Sequence, residues 1–380
     1  MVDFNFNQKL ILNFQNLLKV QPLHYQALSS KGLLKHRIFH KNLKVMNESK
    51  SVSNPTPMHH WVLAGGTGFL GQILTQYAVD QGHRVTVLSR KAYPDQPNVR
   101  YVEWDGKEAG PWMLALEGAT ALINLAGRSV DCRYIAKNKA DIYASRLDST
   151  RILGEAMALC EQPPKVWINL SSATYYRHAE DSAQDENTGE AGTGFSVDVV
   201  QQWEHTFFEA QVPAVRKVAL RCAMVMGPQG GPFPVLRSLA QWGLGGAAGN
   251  GHQYVSWLHH LDFARIILYI IQCPQLSGAV NASAPDPLPN RVFMQVLRKA
   301  HGIPFGINLP KPGIRLGAWL KRTEAELLLK SRWVLPSRLQ EAGFDFLYPT
   351  WAGACRSLAN SRPRVHPTPQ PTRLQPATSI

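Results

Sequence analysis

The sequence predicts an α/β fold, a doubly wound parallel sheet followed by a small, mostly helical C-terminal subdomain. Three observations carry this. Short β-branched and apolar runs alternate with amphipathic helical stretches from residue 61 to about residue 225. The first two runs flank a glycine-rich turn, Gly65-Gly66-Thr67-Gly68-Phe69-Leu70-Gly71, that passes directly into a helical pattern. Beyond Pro285 the alternation stops and helical patterns remain.

The first strand is Trp61-Val62-Leu63-Ala64, and Gly65 permits a sharp exit from it. Gly68 lets backbone approach a pyrophosphate, and Gly71 lets the following helix pack close to the sheet. Backbone amides near Thr67, Phe69 and Leu70 then face the phosphates from a helix N-terminus with its positive dipole end. Ile73, Leu74, Tyr77 and Ala78 mark the buried helical face, which stops at Gln81-Gly82. Strand, glycine turn, helix and strand in this order make a Rossmann-type dinucleotide site.

The second strand, Val85–Leu88, ends in Ser89-Arg90-Lys91 rather than in the acidic residue that accepts from an NAD ribose. A hydroxyl and a guanidinium suit a 2′-phosphate, so the expected cofactor is NADP, with NAD the alternative. A third strand spans 99–104, and a short helix ends near Gly118. Ala121-Leu122-Ile123-Asn124-Leu125-Ala126-Gly127 reads as a buried fourth strand ending in small residues on which a flat cofactor can lie. A long helix over 135–161 stops at Pro163-Pro164, and a fifth strand, 165–170, runs into Ser171-Ser172. A helix over 196–210 precedes the sixth strand, Arg216 to Val225. Gly243 to Gly251 is a second glycine-rich loop, and further helices are expected at 291–300, 314–321 and 324–329. The domain reading is a dinucleotide-binding domain at 58–285, a C-terminal subdomain at 286–355 and a disordered Pro-rich tail at 356–380.

The net charge of +13 suggests nucleic acid until it is localised. Residues 1–58 carry eight Lys/Arg against two acids, and residues 356–380 four Arg against none, so ten of the thirteen charges sit at the ends. A nucleic-acid face on the folded domain is therefore not expected. Residues 1–57 read as a basic, disordered extension. Leu10, Ile11, Phe14, Leu17 and Leu18 on one helical face leave a targeting or membrane-surface helix open, and Met58 leaves open that this stretch lies upstream of the folded product. Five widely spaced cysteines without a C-x-x-C pair fit a reducing, cytoplasmic compartment and argue against a metal site. No apolar run approaches the ~18 residues of a transmembrane segment. A homodimer is left open.

In order along the chain, Gly65 to Gly71, Asn124-Leu125-Ala126-Gly127, Ser171-Ser172-Ala173-Thr174-Tyr175-Tyr176 and Leu220-Arg221 through Gly227-Pro228 resemble the extended branch of the short-chain dehydrogenase/reductase superfamily, in its epimerase/dehydratase group. Ser145-Arg146, Trp203-Glu204, Gly243-Leu244-Gly245-Gly246, Gly249 to Gln253, Trp257-Leu258-His259 and the run from Leu335 to Phe344 resemble the sugar-nucleotide-epimerase-like family more closely. The resemblance covers about residues 60–355. It implies that Gly65, Gly68 and Gly71 form the phosphate turn, that Ser89 and Arg90 hold the 2′-phosphate, and that Leu125 and Ala126 lie under the adenosine half. It further implies that Arg146 reaches toward the cofactor and that Val225 borders the nicotinamide.

The superfamily's reaction needs a tyrosine four residues before a lysine, the lysine raising the acidity of the phenol. Counting back from Trp203-Glu204, those positions hold Ser196 and Val200, and no lysine occurs between Lys165 and Lys217. Ser172 can serve as the superfamily's serine, with Tyr175 or Tyr176 either a replacement proton donor or a packing pair. Arg221 suits an anionic substrate group or a neighbouring carboxylate, and His259 with Asp262 suits acid–base work or helix capping. Asn250, Gln253, Arg221 and His259 are the expected substrate contacts. The reading is an NADP-dependent oxidoreductase or epimerase acting on a small or nucleotide-linked polar substrate. Its rival is a redox-sensing NADP(H)-binding protein that turns nothing over.

Overall fold

A computed structural model describes residues 58–314 and 329–361. The expected N-terminal extension, nearly all of the helices expected at 314–321 and 324–329, and the Pro-rich segment from residue 362 lie outside the described residues.

The large strands are β1 (His60–Ala64), β2 (Arg84–Ser89), β3 (Val99–Glu103), β4 (Ala121–Asn124), β5 (Val166–Ser172) and β6 (Arg216–Cys222). Three short strands follow, β7 (Met224–Met226), β8 (Tyr254–Val255) and β9 (Trp257–His259), before β10 (Gly278–Ala282) and β11 (Leu288–Pro289). Seven of these make one sheet in the order β10-β6-β5-β4-β1-β2-β3, with every pairing parallel. Strands covered on both faces need no polar side, and Trp61 to Ala64 and Ala121 to Asn124 have no exposed surface at all.

The chain builds outward from β1 to β3, then returns to place β4 on the other side of β1. That reversal opens a crevice at the carboxyl ends of β1 and β4, where open α/β sheets take their ligands. Helices α1 (Phe69–Asp80), α2 (Ala136–Ala158), α3 (Phe195–Glu209) and α5 (His260–Gln272) flank the sheet, and α4 (Phe233–Gln241) packs its Phe233 and Ala240 into a second core. Alternation along β5 assigns the faces. Ile168 joins the core with Leu74 and Ala78 of α1 and Ile266, Ile267 and Ile270 of α5. Its neighbour Trp167 points the other way, edge-on to Phe207 of α3 and against Gly154 of α2.

Two features were hidden in the sequence. The expected sixth strand breaks at Cys222. Ala223 donates to Ala282 O, and residues 224–226 leave the sheet to pair with β9. The last strand of the large sheet to be laid down, β10, reads Gly-Ala-Val-Asn-Ala and is too rich in small residues to carry a strand signature.

Helices α6 (Asn290–Ala300), α7 (Ser337–Glu341) and α8 (Trp351–Asn360) complete the described chain. A second core gathers Phe293, Met294, Leu297, Trp351, Ala354 and Leu358 from these helices. It also draws Met226, Phe233, Ala240, Val255 and Trp257 from before the boundary expected at residue 286. Stacking of Phe293 on Trp351 at 4.1 Å centres it.

Candidate functional site

The glycine turn is tight at Gly65 and Gly71 and open between them at Gly68. Gly65 has φ +74°, a conformation that costs a side-chain-bearing residue free energy, and a Cβ there would lie 2.9 Å from Ala126 Cα. A Cβ at Gly71 would meet Gly66 O at 2.1 Å, so only glycine lets α1 begin this close to the turn. At Gly68 nothing lies within 4 Å of the same position. No side chain caps α1, so its first amides are not satisfied by a capping residue. An opening of this shape at a helix N-terminus fits a diphosphate.

Ser89 is buried, and its hydroxyl bonds Lys91 O at 2.9 Å and accepts from Lys91 N at 3.2 Å. It shapes the turn, and Arg90 and Lys91 stand exposed at its tip.

A cavity of about 410 Å³ continues from the turn. Of the expected cofactor contacts it is lined by Phe69, Leu70, Leu125, Ala126, Arg146 and Val225, and of the expected catalytic pair by Ser172 alone. A relay of amides fixes its floor. Asn124, fully buried, donates to Asn169 Oδ1 at 2.7 Å and accepts from Ala126 N at 3.0 Å, which holds the backbone of residues 125–126 in place. Phe69 seats its ring on the Gly227–Gly231 loop, where a Cβ at Gly230 would meet it at 2.2 Å.

Arg146 enters from α2. Its Nη1 donates to Arg128 O at 3.0 Å and Ile142 O at 3.2 Å, and its guanidinium lies over Trp203 at 5.1 Å. A Cβ at Gly127 would sit 3.2 Å from Arg146 Cζ, so a glycine there lets the cation rest on the backbone. Burial pulls its pKa down to about 10, which still leaves it charged at neutral pH. Among the described residues no carboxylate pairs with it.

The structure places the four expected substrate contacts away from the cavity lining. Arg221 meets a carboxylate, Glu204, whose other hydrogen-bond donor is Ser171 Oγ at 2.6 Å. Arg221 also donates to the Tyr176 hydroxyl at 3.1 Å, and that hydroxyl donates to Asn281 Oδ1 at 2.9 Å. Burial opposes the Arg221 charge, but the bonds to Glu204 outweigh it and raise the pKa. His259 has no exposed surface. Its Nδ1 accepts from Leu261 N at 3.2 Å to cap α5, and its ring lies 3.8 Å from that of Tyr348. Burial holds its pKa far below the ordinary value, so it stays neutral. Asp262, inside α5, accepts from the amides of Leu347 and Tyr348 at 2.8 and 2.9 Å and pairs with Arg265 at 2.9 Å, so it ties the segment before residue 350 to α5. Asn250 accepts from His252 N at 3.2 Å, and buried Gln253 donates to Ala248 O at 2.9 Å, so both hold the second glycine loop together.

Tyr175, the expected proton donor, lies outside the cavity. Its ring packs on the Arg221 guanidinium at 3.4 Å and edge-on to Tyr176. Ser196 and Val200, at the positions of the missing dyad, do face the cavity, with Tyr134, Arg128 and Trp203. Tyr134 was not read from the sequence. The signal available was its place in the polar stretch after β4, at the reversal of strand order where ligands bind.

Residues 61–282 match the model of the NAD dependent epimerase/dehydratase family, and residues 309–358 that of a domain of unknown function, DUF1731. Epimerase family protein SDR39U1 of Bos taurus is 31% identical, covering 78% of this chain and 98% of its own. Epimerase family protein YfhF of Bacillus subtilis is 30% identical, covering 80% and 99%. Among solved structures, human epimerase family protein SDR39U1 (isoform 2) with NADPH matches at a TM-score of 0.70 and 29% identity, over 79% of this chain and 99% of that one.

Proposed function

The chain belongs to the NAD dependent epimerase/dehydratase family, and from that premise we propose that it binds NADP(H) and uses it to oxidise or reduce a small or nucleotide-linked polar substrate. The observation that carries this is the open position at Gly68, between the tight contacts of Gly65 and Gly71, leading into the cavity floored by Leu125 and Ala126. The human relative with NADPH supports the choice of dinucleotide, as does the exposed pair Arg90-Lys91 at the end of β2.

When bound, the nicotinamide gives or takes a hydride at a substrate carbon. The chain's own part is to orient and to exclude water. Amides at the start of α1 hold the diphosphate, and Arg90 pairs with the 2′-phosphate. Leu125, Ala126 and Val225 offer an apolar bed, and Ser172 presents a hydroxyl toward the substrate oxygen. The rival reading, a redox-sensing protein without turnover, is favoured by Ser196 and Val200, since neither can transfer a proton as a tyrosine–lysine pair does. Fluorescence titration with NADPH and NADH, followed by NADPH oxidation with a panel of carbonyl compounds, separates them. Tight NADPH binding with turnover supports the enzyme. Binding without turnover across the panel supports the sensor, and no binding of either dinucleotide removes both.

A further inference from the structure

We propose that Tyr134 is the proton donor of this cavity, with Arg146 providing the positive charge beside it, so that both parts of the missing dyad have moved off α3 onto β4's trailing loop and α2. The inference rests on the dinucleotide-dependent reading above.

The placement comes from three contacts. Tyr134 lines the cavity, and its hydroxyl lies 3.3 Å from Ser196 Oγ, the side chain standing where the usual tyrosine would be. Its ring packs edge-on against Phe195 at 4.6 Å, which fixes the loop to the first turn of α3. The Arg146 guanidinium reaches the same wall from α2, over Trp203, three residues along α3 from Val200. Arg146 and Tyr134 both line the cavity, and a negative charge on the phenol favours the Arg146 cation.

The other groups lining the cavity are engaged or unsuited. The Ser171 hydroxyl donates a hydrogen bond to Glu204, and Arg128 is tied to Asp141 and Asn138. The Cys222 thiol is pushed up to about 12 by burial, beyond use as an acid near neutral pH. Ser172 accepts from Thr174 N and suits holding a substrate oxygen, because an aliphatic hydroxyl is a far weaker acid than a phenol.

The step balances as follows for reduction. A carbonyl carbon in the cavity accepts a hydride, one hydrogen with two electrons, from the reduced dinucleotide. The C=O π pair moves onto oxygen, which bonds the Tyr134 proton as the phenolic O–H breaks. The carbonyl becomes an alcohol, the dinucleotide is oxidised, and the Tyr134 phenolate recovers a proton from water. Arg146 stabilises that phenolate as the usual lysine would.

The test uses the full chain labelled with [¹³Cζ]tyrosine, the Tyr134 resonance being assigned with Tyr134→Phe. Its pH titration is followed with and without NADP⁺, whose positive ring favours a nearby phenolate. The expected result is a midpoint lower by about one pH unit or more in the complex, with the shift diminished in Arg146→Met. A midpoint unmoved while fluorescence reports bound dinucleotide overturns the role of Tyr134 and leaves the dinucleotide reading standing. Failure to bind overturns both. With 9,10-phenanthrenequinone as the carbonyl probe, Tyr134→Phe should lower kcat about 100-fold without changing NADPH affinity. Adding Ser196→Tyr and Val200→Lys to that variant should restore part of the rate. Retention of the wild-type rate in Tyr134→Phe overturns the proposal.

Discussion

Glu204 grips Arg221 through both carboxylate oxygens, Nε to Oε1 at 2.9 Å and Nη2 to Oε2 at 2.7 Å, with neither side chain more than 9% exposed. A buried pair is costly to break from one side, because the remaining charge has no water to turn to. Glu204→Gln is therefore expected to lower the unfolding free energy by about 3–5 kcal/mol. Pairing it with Arg221→Met should recover most of the loss. Urea midpoints of the single and double variants check this.

The turn separates stability from binding. Gly71→Ala should destabilise the fold, since its Cβ would meet Gly66 O at 2.1 Å. Gly68→Ala has open space and should melt like the parent, yet weaken NADPH by roughly tenfold or more, about 1.4 kcal/mol, by placing a methyl in the path of the diphosphate. Thermal melts beside fluorescence titrations distinguish the two.

Arg90→Asp should invert dinucleotide preference. The carboxylate repels a 2′-phosphate and accepts from a free ribose 2′-hydroxyl. The ratio of NADPH to NADH dissociation constants is the readout. An unchanged ratio would remove Arg90 from the site.

Acid should weaken the fold through His259. Its folded pKa is depressed by burial to about 2, against 6.5 for the free side chain, so the unfolded chain takes the proton first. Its contribution is whole above pH ~6.5 and falls by about 1.4 kcal/mol per pH unit below that. His259→Asn, which keeps an acceptor for Leu261 N, should flatten the acid limb of a stability–pH profile between about pH 6 and 4.5.

Much of this arrangement was readable from residues 60–225, because buried parallel strands leave continuous apolar runs and the phosphate turn needs glycines at fixed spacing. The C-terminal half was harder. Gly278–Ala282 is a strand held by its neighbour β6 rather than by its own composition, and α4 carries little beyond an apolar face. In the site, backbone-dictated positions such as Gly65 and Gly71 were legible, and side-chain partnerships were not. Arg221, His259 and Asp262 have residue types that suit a substrate. Their partners, Glu204, Leu261 N and the amides of 347–348, lie 2 to 86 positions away in the chain, at distances only folding reveals. Tyr134 was overlooked for the converse reason. A tyrosine in a polar loop carries no periodicity, and its significance comes from meeting Ser196 62 residues later.

Only Ala223 separates the end of β6 in the large sheet from the start of β7 in the small one, and Cys222, Ala223 and Val225 all border the cavity. The stretch where the chain leaves one sheet for the other is thus also a stretch of cavity wall, pinned by the Ala223 amide on Ala282 O. A larger side chain at Ala223 would press on the strand ladder and on the adjoining space at once.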